Sequence, residues 1–398
     1  MMFLIPVMVQ NYFGQGNVTP QFICLKSKFP KIIKFRKTKI MNIHAPTIRD
    51  FSGHNIYVGI DVHHKSWKVH IYSDEFELKS MSSPAGVEGV CNYLERHYSG
   101  ANYQIAYEAG FSGYWIQRAF SAKGINCRVI HASDVPTTDK EKLHKTDKVD
   151  SRKIAKGLRS GELNFVHIPD QALELDRSLI RSRHQLTKDS TRVKNRIKAI
   201  LKLQGIEVPD EYHEGKWSKK FITWLRSLEL GSVSGNIALQ TPINELCFLE
   251  EQKKQVDRAI KELSATDRYG NNVRLLQTIP SIGLLTAMIL LTEIGDMSRF
   301  KRLDELCSYC GLVPTSHDSG DTERTGGLSR RGNGLVKKVL IECAWTATKK
   351  DPALLLYYKQ QIVRMQAQKV IIKIARKLLS RIRYVLMNQK EYVLGTIE

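Results

Sequence analysis

From residue 57 onward the apolar positions fall into short runs that stop at acids. Tyr57-Val58-Gly59-Ile60 runs into Asp61, and Ile105-Ala106-Tyr107 runs into Glu108. The first run, with those at 67–72 and 75–80, predicts three consecutive short strands beginning with 57–62. A helix is expected over 85–97, then a strand ending at Glu108, a helix near 114–122 and a strand at 127–130. The next helix opens on Thr146-Asp147-Lys148-Val149-Asp150.

From Leu173 the apolar spacing lengthens to three and four. Leu175, Leu179, Leu186, Val193, Ile197 and Ile200 predict a long helix with one apolar seam, and Leu246, Leu249, Val256, Ile260 and Leu263 predict a second. The stretch between them, 206–242, holds Trp217, Phe221, Trp224 and Leu225 and is expected to form a small helical cap. Residues 276–287 read as helix, tight turn at Gly283, helix, resembling a helix-hairpin-helix whose turn offers N–H groups to a phosphate. A polar, glycine-rich loop over 311–333 precedes a helical run at 335–348, and the chain ends in an amphipathic helix over 368–388.

Three strands followed by alternating helices and strands is the element order of an RNase H-like α/β fold. Acids on the first strand, the fourth strand and the last helix match its junction-resolvase, RuvC-like branch. The expected organisation is therefore an extension over 1–54 without stable structure, a RuvC-like domain over 55–170, a helical coiled-coil arm with a small insertion over 171–270, and a mainly α domain over 271–398. Met41 is read as the start of translation, which leaves the first forty residues as an upstream stretch.

Composition narrows the partners. The chain has 398 residues and a formal net charge of +21. Such an excess suits a polyanion. The cations are spread over several elements instead of one amphipathic helix, and no apolar run is long enough to span a bilayer. A membrane role is therefore not expected, and the location is expected to be cytoplasmic, at the nucleoid. Seven scattered cysteines argue for a reducing compartment. Cys307 and Cys310 form a lone CxxC without a second pair and are read as buried helix residues.

The chemistry centres on the acids. A carboxylate at the end of a buried strand is costly unless paired, and several together repel one another unless a divalent cation is shared. Asp147 and Asp150, three apart, share a helix face. Asp61, Glu108, Asp147 and Asp150 thus read as a nest for Mg²⁺ acting on phosphodiesters. Lys145 lies in a basic stretch just before that helix, a place for a phosphate backbone or a solvated linker. Arg192 and Arg196, on the basic faces of the long helix, are assigned to nucleic acid because acids to pair with them look few. Arg324, Arg330 and Arg331 follow Ser319-Gly320 closely and can hold phosphate oxygens.

The blocks Gly59-Ile60-Asp61-Val62-His63, Tyr107-Glu108-Ala109 and Lys145 to Arg152, followed by Pro-Ser-Ile-Gly, Gly-Leu-Val-Pro, Ser-Gly and Arg-Gly-Asn, together resemble the DEDD transposases of the insertion sequence 110 family. The resemblance covers the chain from about residue 55 and leaves the first forty or so unexplained. It implies a recombinase that excises and inserts its own mobile element. In such a recombinase Asp61, Glu108, Asp147 and Asp150 hold Mg²⁺ and Ser319 is the nucleophile. It adds Asn333 to the nucleic-acid contacts. It also implies element-end and target double-stranded DNA, a structured guide RNA, and a homo-oligomer, dimer or tetramer, as partners. Two other readings stay open on the residues alone: a metal-dependent nuclease or junction resolvase using water, and a nucleic-acid-binding relative without activity.

Overall fold

The computed structural model describes residues 50–131, 134, 147–212, 216–319, 322–329 and 331–395, without side chains at 147–149, 316–319 and 322–325. Most of the expected extension, and also Lys145 and Arg330, lie outside these residues. The chain separates into two compact units after Asn164.

The first unit is built on a mixed sheet in the order β3-β2-β1-β4-β5. β1 (Asn55–Val62), β2 (Ser66–Tyr72) and β3 (Glu77–Pro84) pair antiparallel, while β4 (Asn102–Glu108) and β5 (Asn126–Ile130) add parallel to β1. Three antiparallel strands followed by alternating helices and parallel strands are consistent with the RNase H-like reading. α1 (Val87–His97), α2 (Trp115–Ala122) and α3 (Asp147–Ser160) complete the unit. Ile56, Val58 and Ile60 are wholly buried on one face of β1. Tyr57, Gly59 and Asp61 alternate onto the other.

β3 starts two residues later than expected. The Ser73 hydroxyl accepts the N–H groups of Glu75 and Phe76, and Ser73 N–H donates to Phe76 O, so Glu75 closes a turn. The strand itself is serine-rich and sits at the sheet edge, so it lacks the alternation that marks its neighbours.

α3 lies against β1, β2 and β4. Its buried stripe is Ser151, Ile154 and Ala155. Arg152 ties the same helix to the antiparallel strands, donating to Tyr72 Oη at 3.1 Å and to Glu77 Oε2 at 2.5 Å. Glu77 also bonds the buried His70 Nε2 at 2.7 Å and accepts from Tyr72 Oη at 2.9 Å. The bond from His70, with those from Tyr72 and Arg152, draws the Glu77 carboxyl down to about 2.

The second unit is helical apart from one hairpin. α4 (Gln171–Leu203) and α6 (Val233–Ser264) run antiparallel, paired through Arg183–Asp257, Lys194–Glu250 and Arg196–Glu245. The buried stripe of α4 is Leu173, Ile180, Ser190, Val193, Ile197 and Leu201. Of the expected seam, Val193 and Ile197 are buried and Leu179 and Ile200 pack half-buried against the cores, whereas Leu175 is 65% exposed. Two partner surfaces cause the drift. The N-terminal half of α4 faces α8 (Leu284–Ile294), whereas its C-terminal half shares a cluster with Phe221 and Leu225 of α5 (Lys219–Ser227). The cap is shorter than expected, because α6 begins at Val233 and takes Pro242 into its interior.

α7 (Gly270–Gln277) and α8 are two helices joined by a short connection, and Gly283 is the extended N-cap of α8 instead of a tight turn. α9 (Leu303–Tyr309), α10 (Gly334–Lys350), α11 (Pro352–Ile362) and α12 (Ala367–Asn388) complete the unit. Its core runs from Ile180 through α8 to Val370, Ile374 and Leu378 of α12. Cys307 and Cys310 are buried in it, and burial pushes the Cys310 thiol up to about 12. That matches a packing role for the CxxC. Among the described residues no helix is long and apolar enough to cross a membrane.

The Glu77 cluster makes a pH prediction. A carboxyl held below its ordinary pKa stabilises the fold above about pH 4.5, and that stability is lost as pH falls toward 2. The side chain is 36% exposed, so solvent screening leaves about 1 kcal/mol. Circular dichroism melts should therefore show Glu77→Gln with a lower Tm at neutral pH. Its Tm should change less than that of the parent chain between about pH 5 and pH 3.

Candidate active site

The parallel pairing of β1 with β4 sets the acids side by side. Its last paired residues are Ile60 and Tyr107, so Asp61 and Glu108 are the next residues on adjacent strands. Tyr107 fixes the exit of β4, its buried hydroxyl donating to Gly113 O at 2.9 Å, while Ala109 N–H donates to Ile130 O at 2.7 Å. Both acids are half-buried. The Asp61 carboxylate is 20% exposed and lies 3.1 Å from His63 Nε2.

The third part of the site arrives through a glycine. A Cβ at Gly59 would stand 2.2 Å from Ser151 O and 2.4 Å from Ala155 N. The backbone of α3 therefore touches the backbone of β1, which any side chain at 59 would prevent. Arg159, at the far end of α3, stacks 4.9 Å over the ring of Tyr72, which pairs with Tyr57 near the start of β1. The N-terminal end of α3 thus points toward the Asp61 end of the strand. Asp150, half-buried, lies one turn before Ile154 on the sheet-facing stripe, and Asp147 is the first residue of the helix. Among the described residues, which exclude the Asp147 side chain, no three acids, histidines or cysteines form a group that could hold a metal ion. The donors brought to this edge are carboxylate oxygens, hard ligands of the kind Mg²⁺ takes.

Two aromatic residues at this edge were not singled out in the sequence. Phe111 is 73% exposed and packs edge-on to His64, and Trp115 is 52% exposed beside Trp67. Exposed rings beside acid-bearing strand ends suit the stacking of unpaired bases. A Phe and a Trp placed within eight residues of a strand-end acid, outside any apolar period, were the available signal.

Ser319 sits elsewhere in the chain, in the second unit. The expected loop is a β-hairpin: β6 (Pro314–Ser319) pairs antiparallel with β7 (Thr322–Leu328), and Ser319 faces Thr322 at the tip. Polar residues and glycines hid the strands from an apolar count, yet Thr315 closes over Gly326, where a Cβ would meet Thr315 Oγ1 at 2.3 Å. Arg324 lies on β7. The foot of the hairpin is pinned by glycine on glycine, since a Cβ at Gly332 would stand 2.2 Å from Gly311 N and Cα. Asn333 N–H donates to Tyr309 O, and Lys337 Nζ donates to Ser329 O.

Asn333 caps α10, accepting the N–H groups of Leu335 and Val336, while its amide donates to Glu293 Oε2 at 2.8 Å. Arg331 is exposed at the hairpin foot. Arg192 pairs with Asp189, and Arg196 pairs with Glu245 of α6. Acids for the basic helix are therefore not few; α6 supplies several of them. Such exposed pairs hold by about 0–1 kcal/mol and can exchange for phosphate.

The model for DEDD transposases of IS110 matches residues 58–205, and the one described as "Transposase IS116/IS110/IS902 family" matches residues 273–359. The chain belongs to the IS110 family of DEDD transposases. It is similar to the y4qE protein of Sinorhizobium fredii, 28% identical over 265 residues, which are 67% of this chain and 63% of that protein. The chain therefore spans a little under two thirds of that relative. It is 26% identical over 294 residues to the transposase for insertion sequence element IS1111A of Coxiella burnetii, across 72% of this chain and 78% of that one. A shorter match, 33% over 139 residues, is with the pilin gene-inverting protein of Moraxella bovis, covering 34% of this chain and 43% of that one.

The two glycine contacts are testable together. Gly59→Ala should push α3 off β1 and cost about 1–3 kcal/mol or more. Gly332→Ala should part the hairpin foot. Circular dichroism melts should show both variants with a lower Tm than the parent chain. A parental Tm in either variant would show that its glycine contact does not hold the fold.

Proposed function

We propose that the chain excises and inserts its own insertion sequence by cutting and rejoining DNA through a covalent serine link. The observation that carries this reading is the adjacency of Asp61 and Glu108 on parallel strands, with α3 seated directly on Gly59 beside them. The family membership supports it, and so does a relative named for inverting a gene.

Asp61, Glu108, Asp147 and Asp150 would hold Mg²⁺. When bound, the ion stabilises charge on the reacting phosphate and lowers the pKa of a coordinated hydroxyl. The His63 ring steadies Asp61. Ser319 Oγ attacks phosphorus as its proton leaves to water; the Oγ–P bond forms and the P–O3′ bond breaks. The departing 3′-oxygen takes up a proton. A 3′-hydroxyl on another strand then attacks the phosphoserine, restoring a phosphodiester and freeing the serine, so no nucleotide cofactor is consumed. The acids belong to one unit and the serine to the other, a division that suits assembly of the site from different copies in a dimer or tetramer.

An element-encoded RNA would choose the DNA by base pairing, leaving the protein to read backbone and shape. The spread of cations over the second unit fits that division of labour. Arg324, Arg330, Arg331, Asn333, Lys145, Arg192 and Arg196 are the proposed nucleic-acid contacts. Nucleoid association follows from the same charge.

Ser319→Ala and Asp61→Asn should each bind DNA normally while lowering strand cleavage by about a thousandfold or more. Denaturing gels of end-labelled DNA should show a protein-linked band with the parent chain and none with Ser319→Ala. Full cleavage by Ser319→Ala would instead identify a resolvase that uses water.

A further inference from the structure

A cavity of about 460 Å³ opens in the second unit between α4 and the first turn of α10. Arg181, His184 and Lys188 enter it from one face of α4, spaced three and four apart, and Lys338 enters from α10. Glu293 and Asn333 form its floor. No part of this cavity contributes to the acid site.

The floor is electrically settled. Glu293 is 1% exposed, and Arg181 grips both its oxygens, at 2.7 and 2.8 Å. Asn333 donates to the same carboxylate, and Arg177 lies 3.9 Å away. A buried carboxylate so held does not repel an anion entering above it. The walls are left positive. Lys188 has no carboxylate partner among the described residues, and Lys338 has only Glu342, at 3.8 Å. His184 reports this crowding: burial, then Lys188, Lys338 and Arg183, hold its pKa down, and Glu342 opposes them. Over the floor, a Cβ at Gly334 would meet nothing within 4 Å, so the space continues outward past the backbone.

We propose that this cavity seats one phosphodiester of a DNA strand, held between Lys188 and Lys338 above the Arg181–Glu293–Asn333 floor. The inference rests on the reading of the chain as a DNA strand-transfer enzyme. Two ammonium groups over a neutral floor attract an oxyanion, and Glu342 beside Lys338 trims their charge toward the single negative charge of a diester. The open side lets a strand pass, which a closed pocket for a free ion does not need. The seat also adjoins the hairpin foot, because Asn333 both caps α10 and anchors to Tyr309. A phosphate held there fixes the strand close to where the hairpin begins.

The test uses the full chain, with Lys188→Gln, Lys338→Gln and the double variant, in fluorescence anisotropy with a duplex oligonucleotide across a KCl series. Each single variant should bind about three- to tenfold more weakly and flatten the slope of log K against log salt by about 0.9. Lys349→Gln, at the far end of the same helix, carries the same charge change and should leave the slope unaltered. In the parent chain, ¹³C-histidine NMR should show the His184 pKa rising when the oligonucleotide binds, and not in the double variant. Unchanged slopes, or slopes that fall equally in Lys349→Gln, overturn the seat. A His184 shift with inorganic phosphate and none with the oligonucleotide overturns the strand assignment in favour of a free oxyanion. Weaker binding of an RNA hairpin alone overturns it in favour of RNA. Lysine variants that bind as the parent does, beside a Ser319→Ala chain that cannot cut, sink the seat and leave the enzyme reading standing. A parent chain that loses binding on lysine substitution yet never cuts DNA does the reverse.

Discussion

The first unit depends on a contact between two backbones. At Gly59 the main chain of β1 meets the main chain of α3, leaving no room for a Cβ. Three consequences follow from that one approach. The helix axis is drawn close enough for Ser151 and Ala155 to be buried against the sheet. Strand alternation then puts Asp61, two residues on, on the face that the helix covers. Helix periodicity brings Asp150 along the same stripe. Packing, and not attraction, thus sets Asp61 beside Glu108 and turns Asp150 toward the sheet, since like charges repel. The Arg152–Glu77–His70 cluster serves the same end from the side, tying α3 to β2 and β3 with opposite charges kept clear of the acid edge.

The second unit uses an opposite device to hold its hairpin. There a buried charge is the organiser: Glu293 joins α4 through Arg181 and joins the start of α10 through Asn333, while its own carbonyl accepts from Tyr309. The carboxylate is buried while the Arg181 side chain is 59% exposed, so the pair gives little net stability, but removing Arg181 or Asn333 leaves the buried charge short of a partner. It therefore fixes geometry more than it adds stability. The hairpin foot, pinched between Gly311 and Gly332, inherits that geometry.

Much of the fold was legible because the first sheet obeys the simplest patterns. β1, β2, β4 and β5 carry apolar residues at strand periods, and their observed bounds lie within two residues of expectation. The adjacency of Asp61 and Glu108 follows once the strand order is recognised. Failures came where burial did not drive the element. β3 is a polar edge strand, and β6 and β7 are polar and glycine-rich, held by ladder bonds and by Thr315 over Gly326, so no apolar count marks them. The seam of α4 was caught only in part because one helix serves two partners in succession, and a single period cannot describe both. The role of Asn333 as a helix cap was visible in principle, since an Asn-Gly pair before a helical run is a start signal.

The charge offers a last lesson. A net +21 invites the assumption that every basic helix faces a polyanion. In the folded chain many of these cations are already engaged. On α4, Arg181, Arg183, Lys194 and Arg196 pair with acids from α6 and α8; on α12, Arg376 pairs with Asp304 and Arg381 with Asp351. The arginine forks go mainly to structural carboxylates, where bidentate geometry rewards a fixed direction. Lysines such as Lys188 and Lys338, flexible and strongly hydrated, are left toward open space. Arg192 and Arg196 would have to exchange an acid partner for phosphate, whereas Lys188 has no carboxylate partner among the described residues. Composition measures how much positive charge there is, and only the pairing pattern tells which of it stays open to a polyanion.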